Sequence, residues 1–216
     1  MKAIIYSKKK LIILFIVSLL TLIFFAGFTI LVRTKLLNQF DFDTTVRIQN
    51  HISKRWDTFF SFLSLLGSFE VMMSLLIIFL FVLKKIKGIL VLCIFLSGHV
   101  IELIGKSFLH HSGPPFLFYR YNLGFLFPSS YVQPGSSYPS GHSFRIVFMS
   151  VMIGYFIFQI KRLSKTYKYI LFAGIVSLCS FVLVSRVSLG EHWTTDVIGG
   201  AILGAGFGIL SLQFML

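Results

Sequence analysis

The sequence predicts an all-α, polytopic membrane protein with six transmembrane helices. Three observations carry that prediction. Of the 216 residues, 56% are hydrophobic and 12% are charged, with a mean hydropathy of +0.88. That is more apolar surface than a soluble domain of this length can hide in a core. The apolar residues gather into runs long enough to cross a hydrocarbon layer about 30 Å thick, which takes roughly 20 helical residues. The basic residues, which give a net charge of +13, cluster between those runs instead of lining one soluble face. Cationic flanks of membrane spans therefore account for them better than nucleic-acid binding does.

The first run, 11–32, follows Lys8, Lys9 and Lys10. It exceeds the roughly 7–15 apolar residues of a secretory signal and has no small-residue cleavage site behind it, so it reads as a retained span. The second run is 59–83, interrupted by Gly67, Ser68 and Glu70. The third is 88–105, the fourth 144–160, the fifth 169–187 and the sixth 194–216. Six spans place both termini on one side. Cys93 and Cys179 lie inside apolar runs and read as small packing residues, with no disulfide framework or cysteine metal site indicated.

Loop charge sets the orientation. Lys2, Lys8, Lys9 and Lys10, then Lys84, Lys85 and Lys87, then Lys161, Arg162, Lys165 and Lys168 fall on one side without an acidic residue among them. That side is expected to be cytoplasmic, in a plasma membrane. The whole of 1–216 reads as one membrane-embedded domain with no soluble domain appended and no targeting extension. The longest connection, 106–142, is rich in Pro, Gly, Ser and aromatics: Pro114-Pro115, Pro128-Ser129-Ser130, Pro134-Gly135-Ser136-Ser137, Pro139-Ser140-Gly141. Connections of this length are often functional, and the Phe and Tyr rings suit a membrane interface.

Three segments on the outer side carry chemistry. Lys106 to Pro114 closes the third span, Pro139-Ser140-Gly141-His142 opens the fourth, and Ser185-Arg186 with His192 and Asp196 joins the fifth to the sixth. His192 and Asp196 are spaced i,i+4 and share a helix face. The carboxylate can hold one ring N–H and leave the other nitrogen a lone pair for nucleophilic attack. Ser140-Gly141-His142 runs into a helix start, whose unpaired N–H groups and positive dipole end favour an anion. Small residues there let a phosphate approach the backbone. Lys106 and Arg186 supply cations for phosphoryl oxygens, Lys as a point charge and Arg as a planar fork.

The pattern Lys-x6-(Arg)-Pro, Pro-Ser-Gly-His, Ser-Arg-x5-His-x3-Asp closely resembles that of the type 2 phosphatidic acid phosphatase superfamily, in its membrane-integrated lipid phosphatase branch. The resemblance runs from about the second span onward, and six spans with outward motifs match the family's helical bundle. The second and third motifs are complete. In the first, Gly113 stands at the family's arginine position, ahead of the expected Pro114. The resemblance implies that His192 attacks phosphorus and becomes a phosphohistidine, with Asp196 orienting it. His142 protonates the leaving oxygen and then activates water. Lys106, Ser140, Gly141 and Arg186 hold the phosphate, and no metal or other cofactor is implied. Arg120, in the same loop, and Arg145, one helical turn beyond His142, are the candidate compensating cations for Gly113.

The other polar residues have plainer readings. His110 and His111 are expected to be exposed loop residues. A metal site of His110, His111, His142 and His192 is opposed by the neighbouring cations. Glu70 and Glu102 are carboxylates near the ends of spans, and Glu102, four residues before Lys106, is placed to pair with it. His99 reads as a buried interhelical contact, and Gly199, Gly200, Gly204 and Gly206 as a face for close helix packing. Asp41, Asp43 and Asp57 read as solvated surface.

The expected activity is hydrolysis of a lipid phosphate or diphosphate at the outer leaflet. Polyprenyl diphosphate, phosphatidic acid and phosphatidylglycerophosphate are all compatible. Polyprenyl diphosphate recycling is favoured on the family resemblance and the small chain. A phosphotransferase would use the same residues. A non-catalytic lipid-phosphate binder or transporter is the reading that Gly113 favours and the intact His142, His192 and Asp196 oppose.

Overall fold

The computed structural model describes residues 2–84, 87–125 and 136–215, with side chains from residue 8 onward. Lys85 and the segments Pro128-Ser129-Ser130 and Pro134-Gly135 lie outside the described residues. The described residues form eight α-helices and two short 3-10 turns, without a strand. The helices are α1 (Lys2–Arg33), α2 (Asn38–His51), α3 (Asp57–Leu65), α4 (Phe69–Val82), α5 (Gly88–Phe108), α6 (Gly141–Gln159), α7 (Lys165–Ser188) and α8 (Thr194–Leu212).

Five of these, α1, α5, α6, α7 and α8, are each long and apolar enough to cross a bilayer. The predicted second span is a bent pair, the segment up to Leu65 and α4, meeting at 49°. The break falls at Leu66–Ser68, where Leu66 closes the first helix and Ser68 caps α4 by accepting the Val71 N–H at 3.4 Å. Serine caps recur. Ser140 accepts from Ser143 at the start of α6, and Ser164 accepts from Tyr167 at the start of α7. Such caps satisfy backbone donors that the first turn leaves unpaired. The cap at Ser140 starts the fourth span at Gly141 rather than at 144.

Outward faces are apolar along the spans, as at Ile12, Phe24, Phe81 and Ile170, which suits lipid. The core lies between α5, α6 and α8, with α4 and α7 closing it. Phe95 stacks against Phe144 at 5.7 Å and meets Phe148 edge-on at 5.1 Å, while Phe207 closes against Phe144. Close approach of α6 and α8 depends on missing side chains. A Cβ on Gly200 would collide with the Ser140 carbonyl, and one on Gly204 with that of Phe144. These contacts draw the N-terminal ends of α6 and α8 together, which is where the motifs are.

Four expectations are corrected. Asp41 lies on α2, a largely polar helix after the first span, and is buried at 2% exposure. Its carboxylate accepts the Thr195 N–H at 2.8 Å and the Thr195 hydroxyl at 2.6 Å. It therefore caps α8 and is not surface. Asp57, in the first turn of α3, is also buried, while Asp43 is exposed as expected. Cys93 faces outward, whereas Cys179 is packed inside. His99 is only partly buried; it bonds Glu102 on its own helix and stacks on Phe69 of α4 at 4.8 Å.

Candidate active site

The three motifs converge because they occupy helix ends on one side of the bundle: the C-terminal turns of α5 and α7, and the N-terminal turns of α6 and α8. The turn between α7 and α8 needs Gly190, which adopts φ +67° and lies where a Cβ would strike the Phe118 carbonyl. With that turn made, the N–H groups of Glu191 and His192 both donate to the Arg186 carbonyl, at 3.1 and 3.2 Å. Arg186 and His192, separated by most of a loop in sequence, are thus held side by side.

His192 does not lie on the helix of the sixth span with Asp196, since α8 starts at Thr194 with Trp193 as its cap, but the turn before the helix still brings the two side chains together. The His192 Nδ1 lies 3.4 Å from Asp196 Oδ2, and both side chains are buried. That separation is long for a strong N–H···O bond. The same Oδ2 accepts the Trp193 N–H at 2.9 Å. Burial, its largest influence, drives the His192 ring down to about 4 with the Arg186 charge adding to it, against the pull of Asp196. The ring is therefore neutral near pH 7. With the proton on Nδ1 toward Asp196, Nε2 carries the lone pair.

His142 opens α6, packed so tightly that a Cβ on Gly67 would touch its ring. Its Nε2 is buried without a hydrogen-bond partner among the described residues. Arg186, Arg145, His192 and Lys106 all lie within electrostatic reach of this ring. Arg186 is fully buried, paired with Glu191 at 2.5 Å and bonded to Ser64 through Nη1. Its Nε and Nη2 have no protein partner among the described residues, nor does the hydroxyl of Ser143. Burying such groups unpaired costs about 1–3 kcal/mol each, more for a charged group. They are donors arranged for something other than the protein.

Glu102 gathers Lys106, Arg145 and His99. Its carboxylate meets Lys106 Nζ at 2.6 Å, His99 Nδ1 at 2.7 Å and Arg145 Nη1 at 3.2 Å. Arg145 Nε donates to the Gly67 carbonyl at 2.8 Å. Gly141 makes this possible, since a Cβ there would overlap the Glu102 carboxylate. Ser140 N–H donates to the Asp196 carbonyl at 3.0 Å, joining the second motif to the third. Trp193 Nε1 donates to the Ser112 carbonyl at 2.8 Å, which places the loop carrying Gly113 beside His192.

Lys106, Ser140, Gly141, His142, Arg145, Arg186, His192 and Asp196 are therefore gathered together. Arg120 is not. Its guanidinium donates to the Gln49 and Ile52 carbonyls at 3.2 Å, finishing the C-terminal end of α2, and its N–H donates to Leu189. His110 is exposed as expected, but His111 is not a bystander: its Nδ1 lies 3.0 Å from Asp196 Oδ1. Glu191 and Ser64 also belong to the cluster. Glu191 stands next to His192 in sequence and was open to notice there, whereas nothing near Ser64 points to Arg186. Among the described residues, no three His, Cys, Asp or Glu side chains converge as metal ligands.

Comparison with known proteins bears on the family and the fold. A family model described as the PAP2 superfamily matches residues 86–216. Phosphatidylglycerophosphatase B of Bacillus subtilis (strain 168) is 30% identical over 145 residues, covering 64% of this chain. The matched stretch spans 65% of that relative's length. The fold is similar to the crystal structure of a transmembrane PAP2 type phosphatidylglycerolphosphate phosphatase from Bacillus subtilis. That match has a TM-score of 0.73 at 21% identity, covering 92% of this chain and 95% of that one. Aquifex aeolicus LpxE aligns with a TM-score of 0.59 at 25% identity, over 80% of this chain and 94% of its own. A six-span helical bundle with its motifs at one end, matched by a family model over more than half its length, belongs to the PAP2 superfamily, the type 2 phosphatidic acid phosphatases.

Proposed function

We propose that this chain hydrolyses a lipid phosphate or diphosphate through a phosphohistidine intermediate, on the extracytoplasmic side of a plasma membrane. One observation carries the reading. The unpartnered donors Nε and Nη2 of Arg186 and the unpartnered Nε2 of His142 are buried around the neutral His192 ring. A phosphoryl group offers those donors oxygens and offers His192 an electrophile.

In the first step the His192 Nε2 lone pair forms a bond to phosphorus. The bond from phosphorus to the lipid oxygen breaks, its electron pair leaves on that oxygen, and His142 supplies the proton. In the second step His142 takes a proton from water, the resulting hydroxide attacks phosphorus, and the N–P electron pair returns to His192. Lys106, Ser140, Gly141 and Arg186 hold the phosphoryl oxygens. Arg145 supplies the cation that Gly113 does not, since it lies on Glu102 within the cluster, while Arg120 is committed to α2.

Two features support a lipid substrate and an outward site. The connection after α5 presents Phe116 at 87% and Leu117 at 89% exposure, rings and side chains that fit an interfacial zone. The lysine clusters lie at the other end of the helices, where Lys10 bonds the Tyr155 hydroxyl near the C-terminal end of α6 at 3.1 Å. Among compatible lipids, phosphatidylglycerophosphate moves ahead of polyprenyl diphosphate, because the 30% identical relative is named for it.

Purified protein in detergent, given phosphatidylglycerophosphate, phosphatidic acid and a polyprenyl diphosphate, is expected to release phosphate from at least one, with or without EDTA. No release from any of them removes the reading. In the same assay Arg145→Ala is expected to lower kcat/KM by roughly 100-fold, the scale of one lost charge-assisted contact. Arg120→Ala should stay within about twofold, its loss falling on stability by about 1 kcal/mol. The opposite order would return Arg120 to the site.

A further inference from the structure

Asp196 has two histidines, and the mechanism uses only one. Its Oδ2 faces His192 at 3.4 Å, while its Oδ1 takes the His111 Nδ1 at the shorter distance of 3.0 Å. The His111 ring is held for this. The His111 carbonyl accepts both the Ser137 N–H at 2.8 Å and the Ser137 hydroxyl at 2.9 Å, and Tyr138 packs edge-on against the ring. The His111 side chain is only 12% exposed, and its carboxylate partner is fully buried. Such a contact is too constrained to be an accident of a mobile loop.

We propose that His111 is a positioning residue: as an imidazolium it shares the charge of Asp196, so that His192 keeps an unprotonated Nε2 at neutral and mildly acidic pH. The inference rests on the lipid-phosphatase reading above. Its physical basis is competition for one carboxylate. An Asp196 left wholly to His192 would stabilise the His192 imidazolium, and a protonated ring has no lone pair to attack phosphorus. With a cation already on Oδ1, Asp196 still orients the His192 N–H but stabilises its protonation less.

The charges around both rings are consistent with this division. His111 is faced by Asp196 from α8, by Asp41 from α2, by Lys35 from the turn after α1 and by the Tyr138 phenol. Burial works against its protonated form, but the Asp196 hydrogen bond and the charges of Asp196 and Asp41 outweigh burial and Lys35, and the ring is shifted upward. His192 is faced by Asp196, Arg186, Lys106 and His142, and is shifted the other way. Two histidines on one carboxylate are thus pushed in opposite directions.

The test is the acid limb of kcat/KM against pH, measured between about pH 4 and about pH 8. The panel lipid that the parent hydrolyses serves as substrate. His111→Asn and His111→Gln are neutral and keep an amide donor, so either one that retains parental helix content suffices. The expected result is a limb displaced upward by roughly one pH unit in each folded variant, the size of one lost neighbouring charge, with the plateau kcat within about threefold of the parent. The substrate's own ionisation is common to all, so a displacement belongs to the protein. An active parent whose limb stays in place in the folded variants, whatever happens to kcat, overturns the inference and leaves the phosphatase reading standing. A parent inactive on every lipid overturns both.

Discussion

His192→Ala is expected to reduce phosphate release by roughly 10⁴-fold or more, to what binding and electrostatic stabilisation achieve without a nucleophile. The ring is buried at 2% exposure and neutral near pH 7, with one nitrogen turned to Asp196. No other described side chain in the cluster offers an unprotonated nitrogen oriented by a carboxylate and set beside unpaired cationic donors. The alanine variant should fold, because the helix start it leaves is held independently by Asp196 on the Trp193 N–H and by Asp41 on Thr195. A rapid-quench experiment with radiolabelled lipid should trap an acid-labile, base-stable phosphoprotein from the parent and none from the variant. Parental turnover by the variant would remove His192 from the chemistry and, with it, the covalent step.

Arg186→Ala should be nearly as severe, and for two separable reasons. The side chain presents Nε and Nη2 unpaired toward the cluster, so its removal takes away a planar pair of donors that no lysine reproduces. It also leaves Glu191 buried without its cation, and stranding one partner of a buried ion pair costs about 3–5 kcal/mol. Glu191 is already raised by burial, with Arg186 opposing that rise, and is expected to take up a proton once the arginine is gone. Arg186→Ala alone therefore confuses folding with catalysis. The double variant Arg186→Met, Glu191→Gln removes the charge pair together. It is expected to recover most of the thermal stability while kcat/KM stays down by about 10³-fold. Recovery of activity along with stability would show that Arg186 serves the fold and not the phosphate.

The parts of the site that were legible in sequence are those written at short range. His192 and Asp196 lie four residues apart across the start of α8, Ser140-Gly141-His142 lies at a helix start, and Ser185-Arg186 ends the preceding span. Helical periodicity alone relates each of these, and the resemblance to a lipid-phosphatase family rests on them. The spans were legible for the same kind of reason, since an apolar run either is or is not long enough for a bilayer. The pairing of Glu102 with Lys106 was also within reach, as an i,i+4 spacing.

What was missed is long-range. Asp41 reads as solvated surface in the sequence, and its partner Thr195 is 154 residues away. His111 reads as an exposed loop residue, and its partner Asp196 is 85 residues away. Arg120 and Arg145 were equal candidates to replace the arginine absent at Gly113. The fold separates them: Arg145 sits on Glu102 beside His142, and Arg120 is tied to the end of α2.

The residue order is enough to indicate a membrane bundle, a histidine four residues from a carboxylate, and a small-residue helix start at a second histidine, because each follows from local spacing or from the length of an apolar run. The sharing of Asp196 between two histidines, the gathering of cations on Glu102 and the unpaired donors of Arg186 come from helix ends that meet only after α6 and α8 have packed through their glycines. Periodicity does not encode such meetings, since a buried polar group takes its character from whichever distant chain segment closes over it.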